Sequence, residues 1–267
     1  MVVRVWGARG SIAVSGPQFV RTGGNTSCFE VEHVGARLIL DGGTGLRALG
    51  DHLGFQPVEA TLLFSHLHWD HIQGVPFFLP AWHPGSRLCF AGATRGGTGL
   101  RNMLSAQMRP PAFPVTLDAM PAARRFVELR SGEPLEVGPF RVTPLDLPHP
   151  GGSLAFRVEA GGRALVYATD VELAGAVPAG FAALCSGASL LLHDAQYTAP
   201  ELGGKRGWGH SAWEEAVFAA AEAGVSRLGL IHHDPARDDD AVAVIEARAQ
   251  ERLPGAFAAR EGATLGV

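Results

Sequence analysis

Cysteine is scarce: Cys28, Cys89 and Cys185 are the only three among 267 residues. Three widely separated thiols form neither a disulfide framework nor a Cys-x-x-Cys metal clip, so they read as reduced and buried. Long apolar runs are missing as well. No stretch of about 18 apolar residues offers a bilayer span. The opening Met1–Trp6 carries Arg4 inside its first apolar run and lacks a small-residue cleavage site, unlike a signal peptide, and cytoplasm is the expected location. Charge is sparse too: 18% of residues are charged and the net charge is −4, which excludes a global footprint for duplex DNA or long RNA and leaves only a local basic patch. The glycine-rich turns Gly23-Gly24-Asn25-Thr26-Ser27 and Asp41-Gly42-Gly43-Thr44-Gly45 lack the lysine and the strand-to-helix spacing of a phosphate-binding loop. Tight turns explain them, although Asp41, at a strand end, could line a pocket.

What the chain does have is a hydrophobic content of 46%, enough for one large α/β domain or two small ones. Short β-rich runs predict strands at Val2–Trp6, Phe29–His33, Leu38–Asp41, Thr61–Ser65, Leu88–Ala91, Phe140–Leu145, Leu154–Glu159, Ala164–Ala168, Leu190–His193 and Arg227–Ile231. Helical periodicity predicts helices over Thr44–Leu53, Ser211–Ala223, with Ser211 and Glu214 as a capping box, and Asp238–Arg252 with an acidic first turn. The segment Phe29–Asp41 recurs loosely as Phe156–Asp170, each reading as a hairpin that ends in an aspartate. Two ordinary hairpins or a duplicated sheet would both account for this; two β-rich halves, each followed by helices, suggest two face-to-face sheets with helices outside.

Residues 92–130 are rich in Gly, Pro and Arg, with a helix-like Leu100–Met108, and read better as a lid or substrate arm inserted into a single 1–267 domain than as a linker, because strand-like runs resume afterwards. Its arginines, Arg95, Arg101, Arg109, Arg124, Arg125 and Arg130, are either solvated surface charge or the start of a basic patch. The run Pro76–Trp82 is either core, the better reading, or the contact of a possible homodimer.

The chemistry is concentrated in His66-Leu67-His68-Trp69-Asp70-His71, directly after a strand. Imidazoles crowded this closely would leave buried donors and acceptors unpaired, and a metal resolves that. His66 and His68, two apart, can point the same way, while Asp70 and His71 beyond a turn can aim at a second position, so the split implies two ions. Further candidates stand at other strand ends: His149, Asp170 and the pair His232-His233. His33, His52 and His83 lie outside the pattern.

This array of His-x-His-x-Asp-His, a later lone His, a strand-ending Asp and a final strand-ending His resembles the metallo-β-lactamase superfamily over nearly the whole chain. The resemblance implies an α/β fold, a four-layered αβ/βα sandwich of two mixed sheets with helices outside. It implies that His66, His68 and His149 bind one metal, that Asp70, His71 and His232 bind another, and that Asp170 bridges them, with His233 as the alternative to His232. The native ions would be Zn2+, with manganese or iron compatible. True β-lactamases usually lack a histidine at the His71 position and often carry Cys where Asp170 stands. The surroundings of His149, and the segments Leu192-His193-Asp194-Ala195-Gln196-Tyr197 and Gly209-His210-Ser211-x-x-Glu214, resemble instead the ribonuclease Z and phosphodiesterase branch, with Asp194 in place of its Glu.

The expectation is therefore a dinuclear hydrolase. Asp70 and Asp170 would hold the nucleophilic water. His210, on a glycine-flanked loop at a helix start beside Lys205-Arg206, would steady phosphoryl charge and protonate the leaving group, with Asp194 orienting His210 or a metal-bound histidine; His193 packs or supports. Because no long basic arm is evident, a small phosphodiester or short oligonucleotide is the expected substrate, with no large nucleic-acid partner and no membrane. An ester, thiolester or lactone hydrolase is the enzymatic alternative, and a non-catalytic metal-binding sensor or scaffold the alternative of another class.

Overall fold

The computed structural model describes residues 1–267. Fourteen strands divide equally between two sheets. The first sheet contains β1 (Val2–Gly7), β2 (Cys28–His33), β3 (Ala36–Leu40), β4 (Glu59–Phe64), β5 (Arg87–Gly92), β6 (Ala123–Glu128) and β14 (Thr264–Gly266), in the order β14-β1-β2-β3-β4-β5-β6. The second contains β7 (Leu135–Val137), β8 (Phe140–Leu147), β9 (Ser153–Ala160), β10 (Arg163–Ala168), β11 (Leu190–Asp194), β12 (Leu228–Ile231) and β13 (Ala256–Ala258), in the order β13-β12-β11-β10-β9-β8-β7. Both sheets are mixed: in each, antiparallel hairpins give way to a parallel run, β3-β4-β5-β6 in one and β10-β11-β12-β13 in the other.

The central strands bury both faces, and their alternation sorts side chains into layers. Leu63 of β4 and Leu154, Phe156, Val158, Leu165 and Tyr167 of β9 and β10 fill the space between the sheets. Leu62 and Phe64 face the opposite way, toward α1 (Gly45–Leu53) and the flanking segments, and Val166 and Ala168 face Phe181, Trp213 and Ala216. The remaining helices are α2 (Trp69–Ile72), α3 (Leu100–Gln107), α4 (Ala179–Cys185), α5 (Ala199–Leu202), α6 (Trp213–Glu222) and α7 (Asp239–Arg252). The result is the four-layered αβ/βα sandwich with two mixed sheets that the sequence led us to expect.

All ten expected strands form, with ends moved by at most two residues. Four strands have no counterpart among the expectations. β7, β13 and β14 have three residues each, too few to show a period, and β6 lies inside the 92–130 stretch as an edge strand whose Arg124 and Arg125 conceal the alternation. Residues 93–122 cross over between β5 and β6, and Leu100, Leu104 and Met108 of the α3 region are buried against the first sheet's outer face. In the Pro76–Trp82 run, Phe78 and Ala81 enter the same core while Phe77 is exposed. All three cysteines are unpaired and buried. No helix is long and apolar enough to cross a membrane.

The Ser211–Glu214 capping box does not form. Ser211 Oγ donates to the Val171 carbonyl at 2.6 Å, tying it into the loop, so α6 begins two residues later with Ala212 as its N-cap; Ala212 N–H donates to Glu215 at 3.1 Å and Glu214 instead accepts from Ala199 N–H at 3.0 Å.

The β2–β3 hairpin turns through Val34 (φ 48°) and Gly35 (φ 76°), and the β9–β10 hairpin through Gly161 (φ 58°) and Gly162 (φ 72°). Two successive positive φ angles are the requirement of a tight hairpin turn, which a β-branched residue meets poorly. Val34→Asn should therefore stabilise the protein by about 1 kcal/mol, measured by urea unfolding; a loss of stability would contradict this account of the turn.

Candidate metal centre

Six loops converge on the edge where the parallel strands end. β4 delivers Ser65, His66 and His68; the single turn of α2 then swings Asp70 and His71 back underneath. His149 follows β8, Asp170 follows β10, Asp194 closes β11 and His232 follows β12. Asp41, Asp170 and His232, each just past a strand end, have φ of 59°, 46° and 60°. Non-glycine residues hold this left-handed conformation only where their surroundings impose it, and such positions gather at functional sites.

Two sets of donor atoms match the sequence candidates, and a third, Asp170, His210 and His232, shares a member with each. His66, His68, His149 and Asp170 bring one ligand atom each within 4.8 Å of one another, and Asp70, His71 and His232 do the same. Asp170 stands between them. Its Oδ2 lies 3.5 Å from His66 Nε2 and 3.9 Å from His149 Nε2, while its Oδ1 lies 3.2 Å from both His71 Nε2 and His232 Nε2. Asp70 Oδ2 completes the second set at 3.2 Å from His71 Nε2 and 3.3 Å from His232 Nε2. His68 is the exposed member and marks where the site opens.

The far sides of His71, His232 and His149 are fixed. Asp41 accepts from His71 Nδ1 at 2.8 Å, from Tyr167 Oη at 2.7 Å and from the Ser65 hydroxyl at 2.8 Å. Gln196 Oε1 holds His232 Nδ1 at 2.8 Å, and the Gly209 carbonyl holds His149 Nδ1 at 2.8 Å. Gly209, at φ 87°, lies so close that a Cβ there would overlap the His149 ring. Ser11 N–H donates to Asp70 Oδ2 at 2.8 Å. Asp194 accepts from Val171 and Gln196 N–H and pairs with His210 Nδ1 at 2.9 Å, which places the His210 ring 4.9 Å from that of His232.

Charge follows from this crowding. Burial alone would raise Asp70 and Asp170, but the surrounding imidazoles outweigh it: His71 and His232 hold Asp70 well below the usual carboxylate range, and His232, His71 and His66 do the same for Asp170. Burial, with His71 nearby, keeps His66 far below the ordinary histidine value. For His71 burial works against charge, but Asp70, Asp170 and Asp41 override it and push the ring well up. Burial likewise opposes charge on His210, and Asp194, Asp170 and Asp70 bring it up to about 9.

This arrangement fits divalent cations. The buried Nε2 atoms of His66 and His71 make no hydrogen bond, although buried polar atoms are normally satisfied. Each ring presents its free nitrogen inward with the other nitrogen tied down, as ligating imidazoles do. Mixed imidazole and carboxylate donors suit zinc, manganese or iron.

Some sequence candidates lie elsewhere. His233 turns its Nε2 to the Ala259 carbonyl at 3.1 Å, and burial lowers it to about 3. His193 is buried against Phe181, outside the donor sets. His52 and His83 pack on Trp6 and Phe55, and His33 sits 6.4 Å from Phe140. Conversely, Asp41 proves central to the site, and Gln196, Ser65 and Gly209 were not anticipated. Asp41 had a visible signal, its place at the end of the hairpin that parallels the one ending in Asp170; Gln196 had none.

Comparison with known proteins gives a consistent set of relatives. The family described as "Beta-lactamase superfamily domain" matches residues 36–233. A ribonuclease Z of Ignicoccus hospitalis is 25% identical, with 87% of this chain and 89% of that protein covered. Among solved structures, the metallo-β-lactamase fold protein YhfI of Bacillus subtilis superposes with a TM-score of 0.76 at 21% identity, covering 99% of both chains. A diphosphatase of the PhnP family superposes with a TM-score of 0.74 at 17% identity, covering 100% of this chain and 97% of the other.

The Asp41 contacts generate a prediction. Asp41→Ala frees the His71 ring and should weaken zinc binding by about 10- to 100-fold, read by competition with a chromogenic chelator. Unchanged zinc binding would show that Asp41 does not orient a ligand.

Proposed function

Because the chain belongs to the β-lactamase superfamily of metal-dependent hydrolases, in its ribonuclease Z and phosphodiesterase-like branch, we propose that it is a dinuclear phosphodiesterase acting on small phosphodiesters or short oligonucleotides. The observation that carries this reading is the division of Asp170, one oxygen toward His66 and His149 and the other toward His71 and His232. His66, His68 and His149 would hold one ion, Asp70, His71 and His232 the other, and Asp170 both; Zn2+ suits the donors best. A divalent pair, when bound, supplies Lewis acidity, lowering the pKa of water toward neutral and offsetting charge on phosphoryl oxygens.

The protein's own groups do the rest. Asp70, its Oδ2 already held by Ser11 N–H, is placed to accept a hydrogen bond from the attacking water and orient it. His210 is tied through Nδ1 to Asp194, so Nε2 is the nitrogen left to meet substrate. From there it can donate to a phosphoryl oxygen and then pass its proton to the departing oxygen. Asp194, fully buried and accepting from two backbone N–H groups as well, fixes the ring and favours its protonated form. Trp69, between two candidate ligands, and Trp208, two residues before His210, are 63% and 57% exposed, offering flat surfaces on which a nucleobase can stack.

Size preference follows from charge. A folded tRNA needs a broad basic surface, whereas this chain is net acidic and Arg101 and Arg124 lie against Asp118, Arg130 near Glu133 and Arg95 against Asp146. A small substrate makes no such demand.

With zinc or manganese the protein should hydrolyse bis-p-nitrophenyl phosphate, and should do so far better than it processes precursor tRNA at physiological salt. Asp70→Ala should keep one metal per chain and lower turnover by at least about 100-fold. Unchanged turnover in Asp70→Ala would sink its assigned role, and efficient tRNA 3′ processing would overturn the preference for small substrates.

A further inference from the structure

Beside His66 and His68 a cavity of about 170 Å³ continues away from the donor sets, lined also by Leu67, Arg95, Met103, Pro150, Gly151 and Gly152. Its one charged side chain outside the histidines is Arg95. Neither the metal sets nor His210 and Asp194 use it, yet it is built in with care. Arg95 N–H and Thr98 N–H bond to each other's carbonyls at 3.1 and 2.9 Å across Gly96 (φ 54°) and Gly97 (φ 74°). This two-residue turn follows β5 at the edge where the histidines gather, and its positive φ angles make the tight reversal that starts at the arginine.

The guanidinium then lies on the backbone of Gly152. A Cβ there would come to 3.0 Å from Cζ and Nη1, a tight contact that the arginine would have to relieve by a few tenths of an ångström. Nη2 donates to Asp146 at 2.5 Å and to the Ser153 carbonyl at 3.4 Å, while Nε is buried with no partner. That Nε–H is shielded beside Gly152, and Nη1 makes no hydrogen bond and is not shut away, so the guanidinium keeps an open donor, and a guanidinium matches phosphate oxygens in its plane. Asp146 is 56% exposed and steadies the group from the solvent side.

We propose that Arg95, at the cavity wall beside Gly151 and Gly152, forms a subsite for a second phosphoryl group of the substrate, one that is bound and not cleaved. The identity of that anion rests on the phosphodiesterase reading. A substrate carrying a terminal phosphate beside its scissile diester would bridge the two places, with the scissile group at the donor sets and the terminal phosphate on Arg95. A cyclic mononucleotide, with its single phosphoryl group, fills only the first.

Calorimetric titration of the zinc-loaded full chain tests this without turnover. Thymidine 3′,5′-bisphosphate should bind about 10- to 100-fold more tightly than thymidine 3′-monophosphate, the range of one charge-assisted interaction. In Arg95→Met the two affinities should fall within about threefold of each other, while Asp146→Ala, which releases Nη2, should retain the preference. Equal affinities in the wild type, an undiminished preference in Arg95→Met, or a loss in Asp146→Ala as complete as in Arg95→Met would each overturn the subsite; the last would make the pair a structural brace. Hydrolysis of the dinucleotides pTpT and TpT separates the two readings. A bisphosphate preference in a protein that cleaves neither refutes the phosphodiesterase and leaves the anion subsite standing; cleavage of both at equal kcat/KM refutes the subsite and leaves the phosphodiesterase standing.

Discussion

Asp170 stands where two groups of imidazoles meet, and most of what surrounds it follows from the difficulty of keeping it there. A carboxylate that is almost wholly inaccessible, with five histidine nitrogens within 3.9 Å of its two oxygens, is tolerable only if positive charge lies close by. Protons on the rings supply part of it, and a pair of divalent ions would supply it more fully. The requirement reaches into the backbone. Asp170 and His232 both adopt left-handed φ angles, a local cost borne because the surrounding strands and hydrogen bonds leave no alternative.

The two sheets explain how such a cluster can be both crowded and rigid. Each candidate ligand is anchored at or near the end of a strand, and most of the rings that bear on Asp170 are braced on their other nitrogen by a group from a different element. Asp41 braces His71, Gln196 braces His232, the Gly209 carbonyl braces His149, and the Ser65 hydroxyl lies 3.1 Å from His66 Nδ1. The two hairpins that resemble each other in sequence have divided the work: the aspartate closing one faces the donor sets, and the aspartate closing the other holds a ring that faces them. Tyr167, from the strand before Asp170, donates to Asp41 and so links the two hairpins through the core between the sheets.

Much of this was legible in the residue order, and the unread parts have physical causes. The strands with clear alternation or apolar runs, and the histidines and aspartates at their ends, announced themselves because burial imposes a period and because packing alone does not account for so many imidazoles. Three-residue strands such as β7 and β13 carry no period. β6 is an edge strand, and its arginines interrupt the pattern that a central strand would show. The capping box at Ser211 failed because a tertiary partner, the Val171 carbonyl, competed for the hydroxyl, and local sequence carries no trace of a contact 40 residues away. Gln196 belongs to the same class: a residue whose role comes from what the fold brings to it. Arg95 was visible only as one of six arginines in a Gly- and Pro-rich stretch, and the Gly96-Gly97 turn that aims it acquires meaning only once the cavity beside His66 is in view.

The central claim is that Asp170 joins two metal positions. A crystal structure of the zinc-loaded protein, with anomalous data collected on both sides of the zinc edge, tests it most directly. The account predicts two anomalous peaks flanking the Asp170 carboxylate, one among His66, His68 and His149 and the other among Asp70, His71 and His232. A single peak at full zinc occupancy, or two peaks with Asp170 bound to neither, would contradict it.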